Sequence, residues 1–231
     1  MAYPPLIMPA PARDSVMADL SAPPKSEPAQ PSPPRAALVS VRPGAIVLAR
    51  HGEPALSRKC YLTSDQYRDW WARYEVGGLL AGQTPPPELL VTAEGAGAIY
   101  ASTRPRAQET AAAICAGRDV MSDALFIEAP LPPPRFPTWF KLPPRYWGVV
   151  ARFWWHVFNH HQGQETRRQA EVRAGKAAQA LIARAEIGQD VLVLAHGYFN
   201  HMVGRRLRAD GWDLVHNQGF KYWSQRRYEK R

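Results

Sequence analysis

The stretch PGAIVLARHG, Pro43 to Gly52, sets the fold of this chain. Five apolar residues, Ala45–Ala49, stand between a Pro-Gly turn and a polar Arg-His-Gly step. A run this short and this uniformly apolar reads as a strand buried on both faces, as inside a parallel sheet. Two further runs repeat the design: Ala98–Ala101 (AIYA) leads into Ser102, and Val191–Ala195 (VLVLA) leads into His196-Gly197. Helical patterns lie between them. Residues Ala107–Ala116 are Ala-rich, and Ala170, Ala174, Ala177, Leu181 and Ala185 recur at helical spacing with Arg and Lys on the other face. Strands alternating with helices predict an α/β fold, a three-layer α/β/α sandwich with a mostly parallel central sheet.

In such sheets ligands bind at the carboxyl ends of the strands. Here those ends are polar: Arg50-His51, then Ser102 with Arg106 just beyond, then His196. Two guanidinium groups and two imidazoles at one sheet edge match a phosphoryl group. The arginines supply forked donors, and an imidazole has a lone pair with which to attack phosphorus.

The same residues carry a family resemblance. VLARHGEP (Val47–Pro54), ASTRPRAQETA (Ala101–Ala111) and VLVLAHG (Val191–Gly197) resemble the three signature segments of the histidine phosphatase superfamily, the phosphoglycerate-mutase-like fold, over residues 44 to 205. The resemblance implies His51 as the nucleophile of a phosphohistidine intermediate, with Arg50, Arg106 and His196 binding the phosphate. It also implies an acid that protonates the leaving oxygen; Glu128, in LFIEAP, is the first candidate and Glu53, beside the nucleophile, the second. The implied enzyme is a histidine acid phosphatase-type phosphomonoesterase that needs no metal or other cofactor and takes a small phosphorylated substrate. The 90 residues from Arg106 to His196 are shorter than the covering stretch of the mutases, which favours hydrolysis. A phosphoglycerate-mutase-type phosphotransferase and a catalytically inactive phosphate-binding module are the alternatives. Pro54 and Ser57 stand where relatives often carry Thr and Asn. Arg104 is expected to face solvent.

Outside these segments the chain divides unevenly. Ten of its 23 prolines fall within the first 34 residues, so 1–37 reads as a disordered Pro-rich tail and 38–231 as the phosphatase domain. Segment 130–161 combines seven prolines with nine aromatics and reads as a lid or insertion. Its helix, expected from Pro144 to about Asn159, shows Tyr146, Val150, Phe153 and Val157 on one face. Packing of that face into the core is the first expectation. A substrate wall, a homodimer contact and a membrane-surface contact are the others. His156 and His160 have zinc-ligand spacing but no third ligand in sight.

Two cysteines in 231 residues exclude a disulfide framework and suit a reducing compartment. No apolar stretch is long enough to cross a bilayer, and no signal peptide pattern opens the sequence, so a cytoplasmic location is expected. The net charge of +9 first suggests nucleic acid. Four of those units fall in the C-terminal KYWSQRRYEKR (Lys221–Arg231), expected to be a solvated basic end, and two are Arg50 and Arg106. A phosphate site plus a basic tail accounts for the excess, and nucleic acid is disfavoured as a partner.

Overall fold

The computed structural model describes residues 42–231. The expected tail at 1–37 lies outside the described residues. Six strands form one mixed sheet: β1 (Ile46–Arg50), β2 (Ala98–Ser102), β3 (Met121–Asp123), β4 (Val191–Ala195), β5 (Trp212–Asn217) and β6 (Gln225–Lys230), in the order β3-β2-β4-β1-β6-β5. The first four in that order run parallel, whereas β6 pairs antiparallel to both β1 and β5.

Side chains alternate across β1 as a pleated strand requires. Ile46 and Leu48 join Val191 and Val193 under α5 (Arg167–Glu186) and α6 (Gly197–Ala209). Val47 and Ala49 join Leu192 and Leu194 under α2 (Pro87–Gly95) and α3 (Pro105–Ile114). Both faces of the sheet are therefore covered, which makes the three-layer α/β/α sandwich. The alanines of α5 let that helix lie close on the strands, and Ala170, Ala174, Ala177, Leu181 and Ala185 are all buried. Thr166 starts this helix through a capping box with Gln169.

A third cluster, whose buried members are all aromatic, joins α1 (Ser64–Val76) to α4 (Pro144–Val157) through Tyr67, Trp70, Tyr74 and Trp147. Here the structure departs from the sequence pattern. The face that α4 turns inward carries Trp147, Ala151 and Trp155, not Tyr146, Phe153 and Val157. Two indoles bury more apolar area than that face offers, and each finds an acceptor for its N–H: Leu62 O for Trp147 and Glu165 O for Trp155.

The C-terminal end is a second correction. Gln225–Lys230 is not a solvated tail but an interior strand between β1 and β5. Its charges are compatible with that place because partners meet them. Arg227 reaches Asp190 and Glu229, Lys230 reaches Glu186, and Arg226 stacks over Phe220. Tyr228 is buried against α6, where only the missing side chain of Gly204 leaves room for its hydroxyl.

Candidate active site

The sheet brings the three motif ends level. Arg50 sits opposite Ala195 and Ala101 opposite Leu194, so His51, Ser102 and His196 emerge side by side from adjacent strands. The two imidazole centroids are 5.2 Å apart, edge to face, and both rings are buried. Arg106, at the second position of α3 and fully buried, bridges them: its Nε donates to His51 Nε2 and its Nη2 to His196 Nδ1, each at 3.3 Å.

Guanidinium only donates, so these contacts fix both tautomers. His51 accepts at Nε2 and donates from Nδ1 to the Gly52 carbonyl at 2.7 Å. His196 accepts at Nδ1 and donates from Nε2 to Ser102 Oγ at 2.8 Å. Both rings are neutral. Burial pushes the pKa of His51 well below its ordinary value, and the cations of Arg106, Arg50 and Arg58 push the same way. Burial does the same to His196, helped by Arg106. The result at His51 is a ring whose Nδ1 is tied to the backbone and whose Nε2 lone pair faces the cationic group. That is the tautomer a nitrogen nucleophile needs, and the Arg106 N–H has to move off Nε2 before the lone pair can attack.

The linkage has a definite sign. The unfolded rings titrate near 6.5, whereas the folded ones do not accept a proton there. Stability contributed by the neutral pair is therefore complete above pH 6.5 and is lost as pH falls below it. Thermal melts should show a flat midpoint from pH 8 to about 7 and a decline below about 6.5. His156 and His201 are shifted in the same direction, so His51→Gln should reduce the slope without removing it. Parallel wild-type and variant curves would contradict this assignment.

Arg106 is itself held from the other side. Its Nη1 donates to Tyr74 O and its Nη2 to Glu75 Oε1 at 2.9 Å, while its plane lies 4.5 Å from the Tyr74 ring centroid. Glu75 also pairs with Arg104 at 2.6 Å. Arg104, expected in solvent, is thus half-buried beside the site. The last turn of α1 supplies the counter-charge for two arginines at once.

The loop between β5 and β6 closes over the site. Arg50 donates to Phe220 O and stacks on Tyr222, whose ring lies 5.8 Å from that of His51. Trp223 adopts a left-handed backbone (φ 62), donates its backbone N–H to His51 O and lies against Gly52. A side chain on Gly52 would collide with that indole, so the glycine of the Arg-His-Gly step is fixed by packing. Arg58 faces the same space, within 6.0 Å of the Tyr222 ring centroid. Among the described residues, the buried Nε atoms of Arg50, Arg58 and Arg104 and the Tyr222 hydroxyl have no hydrogen-bond partner.

Neither candidate acid is bonded to the two histidines or to the arginines around them. Glu128 accepts from the backbone N–H groups of Ala129, Tyr198 and Phe199, which seats it on the first turn of α6, directly after His196. No hydrogen bond or ion pair joins it to His51, Arg50 or Arg106. Glu53 is exposed, and its backbone is tied to Gln83. Ser57 is exposed, and its Oγ accepts from Lys59 N. Sequence reasoning missed Arg58, Glu75 and Tyr222. Glu75 lies in the last turn of α1, for which no motif speaks, and Tyr222 lies in the segment expected to be a solvated basic end. No group of His, Cys, Asp and Glu among the described residues has metal-site geometry.

Residues 89–224 match the model of the histidine phosphatase superfamily (branch 1), a span covering more than half the chain. The chain belongs to the histidine phosphatase superfamily. The matched span contains Arg106 and His196 and begins after the Arg50-His51 step. No curated protein matches the sequence. Solved structures similar to it include the product of open reading frame Rv3214 of Mycobacterium tuberculosis, at 20% identity over 69% of this chain and 77% of that one, with a TM-score of 0.44. Phosphoserine phosphatase of Entamoeba histolytica in complex with 3-phosphoglyceric acid is similar at 16% identity, over 72% and 80% of the two chains, with a TM-score of 0.47. The ecdysone phosphate phosphatase from Bombix mori, in complex with tungstate, is similar at 15% identity, over 80% and 88%, with a TM-score of 0.47.

Proposed function

We propose that the protein hydrolyses a small phosphomonoester through a phosphohistidine on His51. The observation that carries this reading is the guanidinium of Arg106 spanning two neutral imidazoles, with the cations Arg50 and Arg58, whose buried Nε–H groups have no partner among the described residues, close to His51. That is a surplus of positive charge and donors around a nucleophilic nitrogen, suited to a phosphate dianion.

In the first step His51 Nε2 attacks phosphorus, the phosphorus–oxygen bond to the leaving group breaks, and its electron pair stays with that oxygen. Arg50, Arg106 and His196 hold the phosphoryl oxygens as charge shifts at the transition state. Glu128 gives the leaving oxygen a proton. In the second step water attacks phosphorus, the phosphorus–nitrogen bond breaks, and Glu128 takes the proton from the water. Inorganic phosphate leaves and the Nε2 lone pair is restored. Nothing in these steps calls for a metal.

Glu75 offers a second assignment for the acid, because it is hydrogen-bonded to the arginine that touches both rings. Leaving-group dependence separates the two. With chelator present, the wild type should release one inorganic phosphate per ester from both aryl and alkyl phosphates. Glu128→Gln should lose about 10²- to 10⁴-fold on an alkyl phosphate and little on an aryl phosphate whose leaving oxygen needs no proton. The reverse pattern, with Glu75→Gln carrying the leaving-group dependence, would reassign the acid. An isomerised ester without free phosphate would point to a mutase, and binding without turnover to an inactive phosphate-binding module.

A further inference from the structure

The solvent face of α4 is apolar. Tyr146, Val149, Phe153 and Val157 recur at spacings of three and four and so form one stripe. Val149 is 66% exposed, Phe153 52%, and Phe158 just past the helix 61%. Trp139, in the loop leading into the helix, is 79% exposed. The opposite face already fills the core with Trp147, Ala151 and Trp155, so apolar side chains cover this surface helix on all but the stripe of Arg145, Arg152 and His156. Six large apolar side chains on one short segment exceed the scatter of single exposed residues that a protein surface normally carries.

The charge around this face selects an occupant. From Ala129 to Gln164 the chain holds no aspartate or glutamate, and it holds Arg135, Lys141, Arg145 and Arg152. Arg152 is turned inward, stacked on Tyr198 and bonded to the Ala129 and Pro130 carbonyls. Arg135, Lys141 and Arg145 are exposed, and among the described residues none of them has an acidic partner. The acids of the neighbouring α1 are Asp65, paired with Arg68, Asp69, and Glu75, which is taken up by Arg104 and Arg106. A second copy docking here would bring like charges together with no carboxylate in the segment to meet them. Residues 1–41 carry three bases and three acids and offer no net opposite charge. Aromatic side chains beside unpaired lysine and arginine match instead an interface that is apolar within and anionic at its edge.

We propose that the outer face of α4, with Trp139 and the cations Arg135, Lys141 and Arg145, docks on the headgroup region of an anionic lipid bilayer. The docking is peripheral. No helix among the described residues is long and apolar enough to cross a membrane. It is also independent of the chemistry at His51.

The test is co-sedimentation of the full chain with phosphatidylcholine vesicles, with and without phosphatidylglycerol. Binding should appear on the anionic vesicles and fall about tenfold or more on neutral ones and in about 0.5 M salt. The double variant V149S/F153S should lose about tenfold or more in binding. Its melting curve and phosphate release should stay unchanged, since both side chains are exposed and neither belongs to the site at His51. Lys141→Glu with Arg145→Glu should give the same loss through charge alone, without touching the apolar stripe.

Absence of anionic binding by the wild type would overturn the proposal. So would a dimer in light scattering that becomes a monomer in V149S/F153S, which assigns the face to a second copy. Binding that appears only after removal of residues 1–41 would assign it to that segment.

Discussion

His51→Ala should lower turnover on the order of 10⁴-fold or more, with the variant still folded and still able to bind phosphate. The size follows from the covalent route. On the proposed route, without Nε2 no phosphoryl–enzyme bond forms, and water must attack the ester directly. What remains is the electrostatic stabilisation of Arg106, Arg50 and Arg58, which survives the substitution. The fold should survive too, because the strand register of β1 and the backbone bond from residue 51 to Ala195 O do not involve the imidazole. Rapid quenching of the wild type with ³²P-labelled substrate should trap an acid-labile, base-stable label, and His51→Ala should trap none. Turnover by the alanine variant within tenfold of wild type would remove His51 as nucleophile and leave His196 to be tested.

The second large effect is expected at Arg106. Its guanidinium makes contacts with both histidines, the Tyr74 carbonyl and Glu75 with no exposure to solvent. In the proposed mechanism Arg106→Ala removes the donor that meets developing charge, worth about 10²- to 10³-fold in rate for a group of this kind. It also strands Glu75 with Arg104 as its only cation. Breaking a buried charge pair of this sort costs about 3–5 kcal/mol. For a domain of this size that lowers Tm by roughly 10 °C. Arg106→Lys should restore part of the stability but little of the rate, because one ammonium cannot span two rings as the fork does. The check is kcat/KM on an aryl phosphate together with a melting curve. An alanine variant with wild-type kcat/KM would take Arg106 out of the site, whatever its stability.

The parts of this site differ in how far they were legible in the sequence. The runs AIVLA, AIYA and VLVLA become β1, β2 and β4 to within one residue, because strands covered on both faces must be apolar throughout. Polar residues at their carboxyl ends then had to converge. Arg50, His51, Arg106 and His196 do so.

The pattern was silent for β6. Its sequence QRRYEK is charged because that strand's partners are ion pairs and stacked rings rather than apolar side chains. Glu75 and Arg58 were silent for another reason. Each acts across a distance of tens of residues in the chain, and periodicity carries no information about which helix end meets which arginine. On α4 the sequence offered apolar residues on every side. Which face goes inward depended on where two indoles found both a cavity and a carbonyl.

The sequence by itself determined the layered α/β architecture, the sheet edge at which the polar strand ends gather and the four residues, Arg50, His51, Arg106 and His196, that meet there. Strand burial and the rule that parallel strands present their carboxyl ends together are local properties, written in runs of five residues. Only the tertiary structure decided what surrounds those four: Glu75 behind Arg106, Tyr222 and Trp223 over His51, and Glu128 on the first turn of α6. It also turned one aromatic face of α4 outward. These are choices among long-range pairings, made by hydrogen-bond partners and packing volume that no single segment contains.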